Sequence, residues 1–547
     1  MSPATSPVLA VSGLSVCLPQ RADRTHAVEN ASLSIDAGEI MCVVGESGSG
    51  KSVIAQAIMG LLPAALKSTA GSIRLLGEET IGLPPGRMCA LRGSRMSMIF
   101  QEPMTALNPV AKVGRQISEV LRLHTEHSGA ERRRRVIEIM RSVKLPDPET
   151  MYDAYPHELS GGQRQRVMIA AALVLEPSLL IADEPTTALD VTTQAQILAL
   201  IKSIQRERGT AVMFITHDIG VVAEIADRVA VMCRGCLVEE GPTDQVLGQP
   251  RHPYTQSLIA AVPSMVPQKK PGRIGPGAVP VLRVCNLEKV YRPMNFFGAS
   301  RTVHAVKDVS LDIRRGETVG IVGESGSGKS TLARCVVRLV QPSGGEIRLG
   351  GTDLAGAQGE GLRRERRRVQ IVFQDPYRSL NPRRSVGQSI VECPLNYGVP
   401  QAKAWERARQ LIQLVGLDST ALTRYPHAFS GGQRQRIAIA RALAVEPELL
   451  VADEAVSALD VSVQAQILQL FEDICSRFDL ALLFITHDLR VAAQICDRIA
   501  VMHRGEIVER GATADVFARP THPYTQALFD AAPGQRRGAS PITAAPG

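Results

Sequence analysis

The run GESGSGKS stands twice in this chain, at Gly45 to Ser52 and at Gly323 to Ser330, and both copies fit the phosphate-loop spacing G-x-x-x-x-G-K-[ST]. Gly45, Gly48 and Gly50, with Ser47 between them, let consecutive backbone N–H groups turn inward without a Cβ clash. Gly323, Ser325, Gly326 and Gly328 repeat the arrangement. A helix starting after the loop adds roughly half a positive charge at its N-terminus, which completes an anion cradle. Lys51 and Lys329 would reach β- and γ-phosphates, and the hydroxyls of Ser52 and Ser330 would coordinate Mg²⁺. A chance glycine-rich turn explains one such run, but not two identical runs in matched contexts.

Acids follow in the same order in both halves. Apolar residues precede Asp183-Glu184 and Asp453-Glu454, and carboxylates at the end of a buried strand are costly unless cation or proton chemistry matches them. The first acid of each pair can hold the Mg²⁺ shell, and the second can take a proton from an attacking water. Asp190 and Asp460 come next, and after a further apolar strand stand Thr216-His217-Asp218 and Thr486-His487-Asp488. Upstream lie LSGGQRQR at Leu159 to Arg166 and FSGGQRQR at Phe429 to Arg436. Ser160 and Gln163 have capping-box spacing, so Ser160, Gly161 and Gly162 should open a helix and offer a second anion-binding end; Ser430, Gly431, Gly432 and Gln433 repeat it.

The elements that must position these residues alternate between strand and helix. Apolar runs at Ile40 to Val44 and Thr318 to Val322 lead into the loops, and Val53, Ile54, Ala57, Ile58, Leu61 and Leu62 recur at helical spacing after the first. Val8 to Val16 and Ala31 to Ile35 read as strands, Met96 to Phe100 as a strand ending at Gln101, and Val113 to Val143 as helical and charged. The basic runs Arg132 to Arg135 and Arg363 to Arg368 suit solvated helix faces better than a nucleic-acid surface. The expected fold is α/β, with two tandem P-loop domains over 8–263 and 281–533, each a mostly parallel sheet with a helical subdomain. Residues 264–280, rich in Pro, Gly and Lys, read as a linker, and 1–7 and 534–547 as tails.

Lys and Arg number 62 against 54 Asp and Glu, a net +8 that is mild over 547 residues. No run approaches the ~18 apolar residues of a membrane-spanning helix, and the first residues lack the order of a signal peptide, so a cytosolic setting is expected. The ten cysteines, as at Cys42, Cys335 and Cys496, suit reduced buried thiols. Cys233 and Cys236 form one C-x-x-C, but His503 and Glu506 at the matching places favour a turn between strands over a metal or redox site.

With these residues in view, the chain resembles the ATP-binding cassette family over nearly its whole length, and does so twice. FQEPMTALNP from Phe100, FQDPYRSLNP from Phe373 and the blocks His252 to Thr255 and His522 to Thr525 resemble the peptide and nickel import branch. The fused pair with DEAVSALD at Asp453 to Asp460 is similar to glutathione importer ATPases. The resemblance implies a head-to-tail sandwich. Ser430, Gly431, Gly432 and Gln433 would close on the ATP held by Lys51, and Ser160, Gly161, Gly162 and Gln163 on that held by Lys329, with Asp190 and Asp460 in the family's order beside them. It further implies Glu184 and Glu454 as general bases, and His217 and His487 as γ-phosphate contacts. Gln101 and Gln374 would sense the Mg²⁺ held with Ser52 and Asp183, or Ser330 and Asp453. The implied partners are two transmembrane permease subunits and an extracytoplasmic solute-binding protein, with the chain peripheral at the cytoplasmic face of the inner membrane and no nucleic acid bound.

Departures from the family pattern set the two halves apart. Tyr291 fits the aromatic that stacks on adenine, whereas the first half offers Leu18, so weaker stacking is expected at the Lys51 site. Ala455 stands where the first copy has Pro185. No cysteine lies between Cys236 and Cys285 or after Cys496, so the iron–sulfur cluster of some relatives is not expected. Nickel or another small solute is an alternative cargo. A soluble twin-cassette protein acting on ribosomes or DNA is disfavoured by the short linker.

Overall fold

Apolar runs of five become strands buried at every position: Ile40–Val44, Leu179–Asp183 and Ala211–Ile215. That burial is the mark of parallel strands covered on both faces. They belong to a six-stranded sheet ordered Cys236–Pro242, Arg228–Cys233, Ile40–Val44, Ala211–Ile215, Leu179–Asp183, Met96–Ile99. All neighbours are parallel except the first pair, a hairpin. Val43 and Asp183 both align with Ile215, so the segments beginning at Gly45, Glu184 and Thr216 leave one edge of the sheet. In open α/β sheets ligands bind at that carboxyl edge.

The computed structural model describes residues 6–19, 24–186, 189–268, 279–292, 302–457 and 459–532. Of the segments read as linker and tails, 269–278, 1–5 and 533–547 lie outside the described residues. The chain divides into two units, the first comprising the residues up to Ala261 together with those from Ala532 on, the second Val262–Ala531. The second unit repeats the sheet as Val369–Val372, Leu449–Asp453, Ala481–Thr486, Thr318–Val322, Arg498–His503, Glu506–Ala512. Again only the last pair is antiparallel.

Each unit adds a four-stranded antiparallel sheet, ordered in the first His26–Ile35, Leu9–Cys17, Lys67–Leu75, Glu78–Glu79. Alternation governs it: Leu9, Val11, Leu14 and Val16 are buried. Those side chains share one core with Ile54, Ala55 and Ile58 of the helix Lys51–Ile58 and with Met41, Val43 and Met213 of the parallel sheet. The helix that follows the phosphate loop is therefore clamped by both sheets.

Two helix readings are corrected by turn chemistry. The first helix stops at Ile58, because Gly60 takes φ +62° and the Gly60 and Leu61 N–H groups donate to Ala57 and Gln56 carbonyls, a Schellman stop that leaves Leu61 and Leu62 outside it. The charged stretch Val113 to Val143 is two helices, Val113–His124 and Gly129–Ser142, the second capped by Ser128 Oγ, which accepts from the Glu131 N–H. With Gly161–Leu173 they form the helical segment of the first unit.

Basic residues find local partners. Arg133 lies 4.0 Å from the Tyr152 ring centroid, and Arg368 pairs with both Glu365 and Glu448 at 2.7 Å. Cys233 and Cys236 face each other across a two-residue turn with φ +48° at Arg234 and +94° at Gly235, so hairpin geometry sets their spacing and both thiols are free. Cys42, Cys335 and Cys496 are buried, and burial pushes the Cys335 thiol up to about 11. Among the described residues no helix is long and apolar enough to cross a membrane.

The core of the second unit contains Phe471 and Phe484, fully buried and edge-to-face with centroids 6.0 Å apart. Phe484→Ala should destabilise that unit by about 3–5 kcal/mol. The check is the urea midpoint of its unfolding transition; a shift worth under ~1 kcal/mol would mean the surrounding strands collapse into the space.

Candidate functional site

The phosphate loop is shaped by glycines, of which the first in each copy leaves no room for a side chain. Gly45 sits at φ +147°, and a Cβ there would lie 2.2 Å from the Met232 carbonyl oxygen; Gly323, at φ +149°, meets Met502 in the same way at 2.2 Å. Gly48 and Gly326 also have positive φ, but a Cβ on either would meet nothing within 4 Å. Ser47 and Ser325 are exposed at the loop tips. Gly50 and Gly328 are the N-caps from which Lys51 and Lys329 begin their helices. Both lysines are buried, and their ammonium groups are held at the mouth of the loop. Lys51 Nζ donates to the carbonyls of Gly45 at 2.7 Å and Glu46 at 2.9 Å, and Lys329 Nζ to those of Gly323 at 2.8 Å and Glu324 at 2.7 Å.

Near each lysine is an acid at the end of the next strand but one in the sheet. Ser52 Oγ donates to Asp183 Oδ1 at 3.0 Å, and Ser330 Oγ to Asp453 Oδ1 at 2.8 Å. Burial pushes both aspartates above the usual carboxylate range, and the charge of the adjacent glutamate adds to it against the serine hydrogen bond. A buried carboxylate in that condition is relieved by a cation. Its oxygen and the serine hydroxyl are hard donors, so the pair fits Mg²⁺, which takes few protein ligands and completes its shell with phosphate and water.

The glutamates next in sequence carry backbone strain. Glu184 has φ +47° and Glu454 φ +50°, a left-handed conformation costing a side-chain-bearing residue about 1–2 kcal/mol, of the kind found where function demands it. A glutamine and a histidine adjoin each of them. Gln101 Nε2 donates to Glu184 Oε2 at 2.9 Å, and His217 Nδ1 lies 3.4 Å from the same oxygen. Gln374 Nε2 donates to Glu454 Oε2 at 2.9 Å, and His487 Nδ1 lies 3.6 Å from Oε1. Burial alone would raise the Glu454 carboxyl, but the His487 hydrogen bond and the charges of His487 and Lys329 outweigh it and hold it below its ordinary value. Loop lysine, serine, acid pair, glutamine and histidine thus meet at the carboxyl edge of each parallel sheet.

The remaining candidates bond elsewhere within their own unit. Ser160 and Gln163 form the reciprocal capping box, as do Ser430 and Gln433. A Cβ on Gly162 would meet Thr193 Cγ2 at 2.7 Å, and one on Gly432 would meet Val463 Cγ1 at 2.3 Å, so the second signature glycine is required by packing. A Cβ on Gly161 would meet nothing within 4 Å, and one on Gly431 only Leu459 at 3.9 Å. Asp190 caps the helix Val191–Arg208, accepting from Thr193 N–H at 2.8 Å and Oγ1 at 3.0 Å, and Asp460 holds the N-cap position of Val461–Phe478. Tyr291 ends its strand 40% exposed, with Lys289 Nζ 5.0 Å from its ring centroid, whereas Leu18 offers no ring.

One contact escaped the reading of the motifs. The tyrosines of the two His-Pro-Tyr-Thr blocks reach the phosphate loops: Glu46 N–H donates to Tyr254 Oη, and Glu324 N–H to Tyr524 Oη, each at 3.1 Å. Repetition of the block in both halves was the only signal, since no spacing rule joins residues 208 positions apart.

The pattern of the ABC transporter family matches residues 28–187 and 306–457, and that of the oligopeptide/dipeptide transporter C-terminal region matches 238–292 and 508–547. The glutathione import ATP-binding protein GsiA of Pectobacterium atrosepticum is 47% identical over 562 residues, covering 96% of this chain and 89% of the relative. Its namesake from Escherichia coli strain K12 is 47% identical over 557 residues, with the same coverage.

The loop geometry separates two glycines of one motif. Gly45→Ala should disrupt the loop and abolish nucleotide binding, because a backbone oxygen stands in the way; Gly48→Ala should cost only about 1–2 kcal/mol of backbone strain and keep binding. Titration with a fluorescent ATP analogue, beside a thermal melt, distinguishes them.

Proposed function

The chain belongs to the ABC transporter family, and from that premise we propose that it is the ATP-hydrolysing, energy-coupling subunit of an importer for peptides or similar small solutes, glutathione among them. The observation that carries the chemistry is the meeting of Lys51, Ser52, Asp183, Glu184, Gln101 and His217 at one sheet edge, repeated by their counterparts in the second unit. The solute class is supported by the C-terminal-region pattern and by the relatives' names.

In this reading the loop amides and Lys51 bind the phosphates of ATP, and Ser52, Asp183 and Gln101 hold Mg²⁺; Lys329, Ser330, Asp453 and Gln374 do the same in the second unit. When bound, the ion neutralises charge on the β- and γ-phosphate oxygens. Glu184 accepts a proton from the attacking water while its oxygen bonds to the γ-phosphorus and the bond to the β-phosphate oxygen breaks, giving ADP and phosphate. Gln101 and His217 hold that carboxylate in place, and His217 contacts the γ-phosphate.

Two loops and two signature helices on one chain suit head-to-tail pairing, with Ser430, Gly431 and Gly432 completing the Lys51 site and Ser160, Gly161 and Gly162 the Lys329 site. Fusion raises the effective concentration of each half for the other. Two permease subunits would carry the solute across the inner membrane, a solute-binding protein would deliver it, and this chain would sit at the cytoplasmic face.

Glu184→Gln and Glu454→Gln should each remove much of the steady-state ATPase activity and the double variant nearly all, since general-base catalysis supplies ~10²- to 10⁴-fold. Full activity in one single variant would show that its site does not contribute to turnover. Co-purification of the tagged chain from its native membranes should bring down two permease subunits. Recovery of ribosomes or DNA-processing proteins without a permease would sink the importer reading.

A further inference from the structure

The His-Pro-Tyr-Thr blocks are built to aim one hydroxyl. In the first unit Glu239, on the strand Cys236–Pro242, accepts from the N–H groups of Arg251 at 2.8 Å and His252 at 3.0 Å, fixing the turn before the helix Pro253–Ala260. His252 Nδ1 caps that helix by accepting from the Tyr254 N–H at 3.2 Å, and Pro253 takes the first helical position, where its missing donor costs nothing. The second unit repeats each bond: Glu509 accepts from Thr521 at 2.8 Å and His522 at 3.1 Å, and His522 Nδ1 from the Tyr524 N–H at 3.1 Å. There the His503 ring also stacks on Tyr524 with centroids 3.9 Å apart, a support that Cys233, in the matching hairpin position, has no ring to provide.

What the hydroxyl meets decides its role. The Gly45–Glu46 peptide presents its N–H to Tyr254 Oη at 3.1 Å and its C=O to Lys51 Nζ at 2.7 Å. In a trans peptide these two bonds point in opposite directions, so the plane cannot rotate without breaking both. The Gly323–Glu324 peptide is held in the same way between Tyr524 Oη at 3.1 Å and Lys329 Nζ at 2.8 Å. Gly45 and Gly323 carry no Cβ, so the residue on the amino side of this peptide offers little steric restraint of its own, and the two hydrogen bonds fix the plane.

We infer that Tyr254 and Tyr524 are positioning residues for the nucleotide sites: each locks the peptide whose carbonyl aims the loop lysine, and so sets the affinity for the triphosphate. This rests on the reading of the loops as ATP sites. Because the lysine contacts phosphate both before and during the reaction, loss of the lock should weaken binding more than it slows the chemistry.

The test is the full chain carrying Tyr254→Phe and Tyr524→Phe together, which keeps both rings and the His503 stack and removes only the hydroxyls. A fluorescent ATP analogue, titrated with Mg²⁺ present, should bind with a Kd raised about threefold to tenfold, the loss of roughly one hydrogen bond. The KM for ATP should rise by a similar factor, more than kcat falls, with the melting temperature unchanged. A Kd equal to that of the wild type overturns the positioning role, and a lowered melting temperature alongside it would assign the hydroxyls to docking of the helices alone. Failure of the wild-type chain to bind the analogue overturns the nucleotide reading itself, and this inference with it.

Discussion

A buried carboxylate opposite a buried ammonium at the end of a parallel sheet is the constraint on which each unit depends. Asp183 and Asp453 end strands that are buried throughout, and burial raises their pKa despite the serine bond and the lysine charge. Removing such a charge from water is tolerable only with partners in fixed geometry. The geometry comes from the sheet, where the register of adjacent strands brings the loop and the acid to one edge. The clamped helix then holds Ser52 against Asp183.

The same logic accounts for strain. Glu184 and Glu454 must turn their carboxylates toward the site immediately after a strand that ends in the fully committed aspartate, and both take left-handed backbone to do so. Conformations of this kind persist where surrounding bonds over-determine them. Here the Glu184 and Glu454 N–H groups donate to the Ile215 and Ile485 carbonyls at 3.0 Å, and the side chains are tethered by glutamine and histidine.

Duplication has kept the framework and relaxed the details. The two units share sheet order, loop dihedrals to within a few degrees and the tyrosine contact to the loop. They differ at Leu18 against Tyr291, Pro185 against Ala455, and Cys233 against His503. The Ser–Asp pair keeps its hydrogen bond in both units across these differences.

Sequence alone determined the kind of chemistry and the kind of fold, because both rest on local rules. A phosphate loop needs its glycines and lysine within a few residues, a capping box needs Ser160 and Gln163 three apart, and buried parallel strands need continuous apolar runs. Where competing local rules met, the reading slipped: Gly60 ended a helix that the spacing of Leu61 and Leu62 prolonged, and Ser128 split another. What spacing could not express was decided by the tertiary structure. The order of the strands brings Gln101 to Glu184 across 83 positions and Tyr254 to Glu46 across 208. Packing against Thr193 and Val463 demands Gly162 and Gly432 for reasons unrelated to any ligand. Such contacts depend on how whole elements are laid beside one another, and the hydrophobic and turn preferences of single segments carry no record of which neighbour they will meet.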